Sequence, residues 1–237
     1  DQASETAWVS LDLSFSSISS YINNVSIGQR GYCFLMDSAG SIVYHPQHSQ
    51  YPQHPEQTQH AQGQTFTDVA ATAYYAESVA WAVERGITSG TTATTFSPNS
   101  TCTDAQILTF LWRAKGSPEP NSKTNTFTDI KESDYFYKAA LWAKENNIIS
   151  KDSTVFNGNT PCTRSMAVLY IWRAAGFPAA EKTSSFTDVA ATTLYAPAVD
   201  WAVEAGVTSG TSASTFSPDT TCTRAQIVTF LYRAFSK

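Results

Sequence analysis

Three copies of one helix-loop-helix unit, making a mainly α domain behind a small α+β N-terminal segment, account for the pattern of this 237-residue chain. Three observations lead there. Cys102, Cys162 and Cys222 are spaced by sixty residues and sixty again, and a fixed period of this kind marks internal repetition. Shifted by 120 residues, Phe66-Thr67-Asp68-Val69-Ala70-Ala71-Thr72 falls on Phe186-Thr187-Asp188-Val189-Ala190-Ala191-Thr192 without a mismatch. Within each copy, apolar residues recur at helical rather than strand spacing.

The elements follow in chain order. Trp8 to Ser14 alternates apolar and polar residues like a strand, and Ile18, Tyr21, Ile22 and Val25 suggest a short helix. Gly31 to Pro46 reads as strand, turn, strand. Residues 47–65 are rich in Pro, Gln and His, and with His45 this stretch contains all four histidines. Their irregular spacing and the scarcity of carboxylates favour a flexible linker over a metal-binding tract.

The first copy spans 66–118, the second 119–178 and the third 179–237. In copy one, Tyr75, Val79, Ala82 and Val83 lie on one face of a helix that Gly86 ends, with Asn147 and Gly206 at the same place in the other copies. A loop rich in Thr, Ser and Gly reaches Phe96-Ser97-Pro98. A second helix opens at Thr103, where Thr103 and Gln106 make a capping-box pair that Thr223 and Gln226 repeat. Ile107, Phe110, Leu111 and Ala114 continue it. Copy two diverges but keeps Phe127-Thr128-Asp129-Ile130, Trp142-Ala143, Phe156, Cys162-Thr163-Arg164 and Trp172-Arg173-Ala174. A helix pair this small cannot cover its own apolar face, so the copies are expected to bury those faces against one another. Polar, proline-containing segments at 115–126 and 176–185 connect them.

Composition narrows the function. With 42% apolar, 13% aromatic and 15% charged residues, the chain has the make-up of a folded protein. The net charge of −5 is concentrated early, where residues 1–65 hold Arg30 against five acidic residues. That excludes a basic nucleic-acid footprint, and no apolar run approaches the ~20 residues that span a bilayer. Beginning at Asp1 without an initiator Met, the chain is expected to be a processed or trimmed piece.

The order Phe-x-Asp-Val, Trp-Ala, Gly, Thr-x-x-Thr-Phe-x-Pro and Thr-Arg-Ala-Gln, in register along three copies, resembles the S-layer homology (SLH) domain of bacterial envelope proteins. The resemblance covers about 170 residues. It implies a pseudo-threefold bundle whose grooves hold secondary cell-wall polysaccharide, often bearing pyruvate ketals, and so fix a secreted protein to the cell wall noncovalently. Arg164 and Arg224, at the family's Thr-Arg-Ala-Glu position, would then grip the ketal carboxylate through charge-assisted hydrogen bonds at a helix N-terminus, beside Gln226. Gly90 and Gly210 would let a sugar approach the loop backbone, and Trp81, Trp142 and Trp201 could offer flat faces or form the core. Asp68, Asp129 and Asp188 could touch sugar, pair with an arginine or order the loop. Copy one departs from the pattern with Asp104 in place of arginine, copy two with Lys151 in place of glycine, and copy three alone has both Arg224 and Gly210. At most two grooves are therefore expected to bind well.

The three repeated cysteines sit where the family is usually apolar and suit small buried residues; a disulfide between equivalent positions stays open, whereas a zinc site lacks histidine in the repeats. Neither cofactor nor metal is expected. Ile27-Gly28, Gly31-Tyr32, Asp37, Gly40 and His45-Pro46 resemble part of a Cache sensor domain over residues 1–46, which offers a rival function as a fragment of an extracellular ligand sensor with the repeats as a protein-interaction scaffold. Short strands there would leave unpaired edges and invite self-association. An enzyme is disfavoured, since a catalytic carboxyl pair needs two different environments while triplicated acids have similar ones.

Overall fold

The computed structural model describes residues 35–36, 42–44, 66–122 and 124–236. The chain divides into two units, 1–58 and 59–237. In the first, β1 (Leu35–Met36) and β2 (Ile42–Tyr44) pair antiparallel, Leu35 opposite Tyr44 and Met36 opposite Ile42, with a register irregularity between the two pairs. This hairpin falls within the expected strand, turn, strand. The earlier strand and helix, the linker, the Cache-like motif and self-association through the strands lie outside the described residues.

The second unit is the repeat domain. Its helices are α1 (Ala76–Glu84), α2 (Asp104–Ala114), α3 (Tyr137–Glu145), α4 (Arg164–Ala174), α5 (Ala196–Glu204) and α6 (Arg224–Phe235), two per copy. The odd-numbered helices start without a side-chain cap and depend on packing, whereas α2, α4 and α6 start on Thr103, Thr163 and Thr223, whose hydroxyls accept from the N3 backbone N–H. Gln106 and Gln226 complete the reciprocal capping box; Met166 has no oxygen to do so in copy two. Just beyond α1, α3 and α5, Gly86, Asn147 and Gly206 adopt left-handed φ of 65°, 58° and 72°. Glycine and asparagine are the residues that tolerate this conformation best.

Each first helix packs on the second helix of the preceding copy: α3 on α2, α5 on α4, and α1 on α6, which closes the chain onto its own start. The second helices also touch one another and form the inner layer. One apolar cluster therefore runs through all three copies, with Ile107, Leu108, Leu111, Val168, Leu169, Ile171, Ile227 and Leu231 among its fully buried side chains. The expectation that no copy covers its own face is met by this exchange.

At the centre the backbones of the repeated cysteines make a closed triangle. Cys102 N–H donates to Cys222 O (2.9 Å), Cys222 N–H to Cys162 O (2.8 Å) and Cys162 N–H to Cys102 O (2.9 Å). The three thiols are buried and free, so the axis brings the cysteines together without a disulfide. Burial pushes Cys102 up to about 12 and Cys222 to about 11, and burial together with the Asp104 charge pushes Cys162 higher still.

Candidate functional site: grooves between the copies

The N-caps of the second helices decide where the arginines go. Thr163 and Thr223 place Arg164 and Arg224 at the first helical position, with backbone N–H groups donating to Thr220 O and Ser100 O, each at 2.9 Å, in the turn of the next copy. Each side chain therefore crosses into that next copy. Arg164 Nε donates to Phe216 O (2.9 Å) and Nη2 to Thr208 Oγ1 (3.3 Å), with the guanidinium 4.8 Å from the Phe216 ring and 5.6 Å from Phe230. Arg224 Nε donates to Phe96 O (2.9 Å), and its guanidinium lies 4.8 Å from Phe96 and 5.4 Å from Phe110. Both arginines are 4% exposed. A cation over an aromatic face is attracted by the ring quadrupole. The two differ at one atom: Arg224 Nη2 is buried without a partner. The Thr88 hydroxyl, counterpart of Thr208, accepts instead from Gly90 N–H (3.1 Å).

Facing the arginines are loops tied by the repeated aspartates. Asp68 accepts from Phe96 and Ser97 N–H at 2.8 and 2.7 Å, Asp129 from Phe156 and Asn157 at 2.8 and 2.7 Å, and Asp188 from Phe216 and Ser217 at 2.8 Å each. Both oxygens of each carboxylate are thus engaged on the loop of their own copy. Hydrogen bonds from Phe216 and Ser217, with the Arg164 charge behind them, hold the Asp188 carboxyl below its ordinary value. At Asp68 and Asp129 burial pushes upward, but the equivalent donors outweigh it.

Gly90 and Gly210 have φ of 87° and 82°. A Cβ at Gly90 would lie 2.5 Å from the Phe66 ring and 2.6 Å from Thr95 O, and one at Gly210 2.6 Å from Phe186 and 2.7 Å from Thr215 O. The space that their missing side chains leave is taken up by the chain's own phenylalanines, and a turn closed by Thr91 and Thr211 N–H on Thr95 and Thr215 O needs the left-handed conformation. Lys151 stands at this place in copy two, in a loop one residue shorter.

The groove of copy two is built from different residues. At the position of the arginines, Asp104 enters it with N–H donating to Thr160 O (3.0 Å). Burial pushes the Asp104 carboxyl up, partly countered by the nearby Cys162 thiol and Tyr170 hydroxyl, and Oδ1 is buried without a partner. Tyr170 is the counterpart of Phe110 and Phe230. A carboxylate over a phenyl face is repelled, whereas a tyrosine hydroxyl can donate to it. On the loop side of this joint lies a cavity of about 800 Å³ whose lining includes Lys151, Phe156, Tyr170, Arg173 and Leu194 but not Asp104.

The structure sorts the remaining candidates. Trp142 is buried, and half-buried Trp81 and Trp201 pack against the core, Trp81 edge-on to Tyr232 with centroids 5.6 Å apart. Gln226 Oε1 accepts from Thr223 N–H (2.9 Å). Arg224 faces Gly90 and Asp68 of copy one, and Arg164 faces Gly210 and Asp188 of copy three. Having arginine and glycine in the same copy is therefore not what assembles a groove: two grooves combine the two residues, and the third combines Asp104 with Lys151. The sequence marks Phe96 and Phe110 as loop and helix residues but not as rings beneath a guanidinium group, and it does not mark Thr88 and Thr208 as site residues, although their recurrence in register is a usable signal.

Three helix pairs closed around an axis, with cations at two of the three joints, define a repeat-built binding domain. The chain matches the S-layer homology domain at residues 65–107, 126–167 and 185–228, more than half of its length, and it belongs to that family. Domains of this family are binding modules rather than catalysts and attach surface proteins to cell-wall polysaccharide, which places the chain at the cell surface. Among the described residues no helix is long and apolar enough to cross a membrane. No curated protein matches the chain.

Proposed function

We propose that this domain anchors its chain noncovalently to the bacterial cell wall by binding secondary cell-wall polysaccharide that carries pyruvate ketals, with one carboxylate received in each arginine groove. The observation that carries this reading is Arg224, a cation 4% exposed whose Nη2 has no partner. A buried unpaired donor is costly, and a carboxylate accepting two parallel N–H bonds would remove that cost. Arg164 serves the second groove. Asp68 and Asp188 act by holding the loops in place, Gly90 and Gly210 by allowing the loop turn, and Gln226 by fixing the start of α6 beneath Arg224. Asp129, Trp81, Trp142 and Trp201 support the scaffold.

Co-sedimentation with purified walls tests the function. The chain should pellet with walls that retain their secondary polysaccharide and stay in solution once that polymer is chemically stripped; equal pelleting with both would refute the reading.

A further inference from the structure

Two exposed aromatic rings have no role in the fold's core. Tyr74 and Tyr135 occupy equivalent positions just before α1 and α3 and are 65% and 61% exposed. Each stands edge-on to its neighbour, Tyr75 or Phe136, with centroids 5.0 Å apart and planes at 85° and 89°. Those neighbours pack against the core. Each exposed ring therefore stands against an anchored partner while most of its surface stays in water.

The groove of copy two shows what this position faces. Its counterpart there is Leu194, from copy three, which lines the cavity together with Phe156, Tyr170 and Arg173. Phe156 and Tyr170 correspond to the rings beneath each arginine, so the same wall in the Arg224 groove is Tyr135 and in the Arg164 groove Tyr74. Helix packing agrees, since α3 lies on α2 and α1 on α6. So do the charges that reach the two phenols beyond the effect of burial: Arg113 and Arg224 at Tyr135, and Arg233 at Tyr74. Each groove thus takes its loop from one copy, its arginine or aspartate from the copy before, and this wall residue from the copy after.

A pyranose ring presents a face of C–H groups that packs on an aromatic ring, while its hydroxyls and a ketal carboxylate point sideways to polar groups. We infer that Tyr74 and Tyr135 are the stacking platforms on which the two arginine grooves seat a sugar ring, and that Leu194 leaves the third groove without one. This rests on the proposed reading of the arginines as carboxylate receptors, and it adds a determinant for the sugar itself.

The test is calorimetric titration of the full chain with a methyl pyranoside carrying a 4,6-pyruvate ketal. Tyr74→Leu and Tyr135→Leu, which install the copy-two residue, should each weaken one of two sites on the order of tenfold, and Tyr→Phe at either position should restore affinity. Sugar at saturation should protect both tyrosines from nitration. Because both side chains are exposed, thermal midpoints should stay at the wild-type value, which separates lost contact from lost fold. Wild-type binding with full affinity in the double Leu variant and unprotected tyrosines would overturn the platform assignment alone. Absence of wild-type binding would overturn it together with the carboxylate reading.

Discussion

The two arginine grooves and the aspartate groove occupy equivalent joints of one domain, yet they are chemically opposed. In the first kind a cation rests on phenylalanine rings and is held by a backbone carbonyl. In the second, Asp104 meets Tyr170, Ile149 replaces the threonine that serves Arg164, and Lys151 occupies the glycine position. The substitutions are mutually consistent: the anion comes with a hydroxyl donor in place of a phenyl face. A diverged repeat has evidently retained its packing role while its groove changed character.

Breaking the cations should separate the two kinds most sharply. Arg164→Ala with Arg224→Ala should weaken binding of a pyruvylated fragment at both grooves by about ten- to a hundredfold, since each lost charge-assisted contact is worth about 1.5–3 kcal/mol. Either single change should lower the calorimetric stoichiometry from two to one, and Asp104→Ala should leave it at two. Equal weight for the two arginines follows from the exchange between copies, since Arg164 reaches into the copy that carries Gly210 and Arg224 into the copy that carries Gly90.

Reversing the charge probes whether the aspartate groove can be converted. Asp104→Arg should destabilise the fold by about 1–3 kcal/mol, as it replaces the anion beside the Tyr170 hydroxyl with a buried cation where Ile149 offers no oxygen. Adding Tyr170→Phe should recover part of the loss. Denaturant midpoints of the single and double variants give the coupling.

Acidity separates the carboxylates. Asp188 has a folded value below its unfolded one, so it contributes stability that is present above the unfolded value and lost as pH falls through the folded value. Asp104 is raised, so the folded state binds its proton more tightly, and its contribution declines as pH rises from the unfolded value through the folded one. Asp104→Asn should therefore raise the thermal midpoint at neutral pH and remove this decline, while Asp188→Asn should lower the midpoint at neutral pH and bring less further loss on acidification. Melting curves from pH 3 to 7 distinguish the two.

The smallest expected change is at the axis. Cys102, Cys162 and Cys222 should stay unmodified by iodoacetamide at pH 8 and react together once denaturant unfolds the domain, as counted by mass spectrometry. Modification of one of them in the native state would contradict a sealed centre.

Much of this was legible in the sequence where the cause is local. The i, i+3, i+4 face of Ile107, Phe110 and Leu111, the Thr103 and Thr223 caps and the left-handed Asn147 each follow from neighbours a few residues apart, and the sixty-residue period of the cysteines is plain in the chain itself. What was not legible depends on how the copies close. Helix periodicity says that α1 needs a partner but not that the partner is α6, and that choice decides whether Arg224 meets Gly210 or Gly90. The tryptophans read equally well as sugar platforms and as core, because an amphipathic stripe does not reveal how much of an indole its neighbours cover. Exposed Tyr74 and Tyr135 lie outside the helical stripe, and only the cavity lined by Leu194, at the same position in copy three, sets them apart from other surface residues.

The closing of the ring has a mechanical consequence. An anchor under load is pulled from a chain end, and here the beginning and end of the repeat domain meet along one seam, where α1 lies on α6, Trp81 touches Tyr232, and Cys102 N–H reaches Cys222 O. The bonds from Arg224 to Ser100 and Phe96 cross that same seam, whereas those from Arg164 to Thr220 and Phe216 join copies two and three away from it. Force that opens the seam should dismantle the Arg224 groove first and leave the second groove with Arg164 but without Tyr74, weakened yet still able to hold its carboxylate. Single-molecule pulling on wall-bound protein should then show slippage in two steps, the first absent in Arg224→Ala. The grip on the wall would yield by halves under tension rather than all at once.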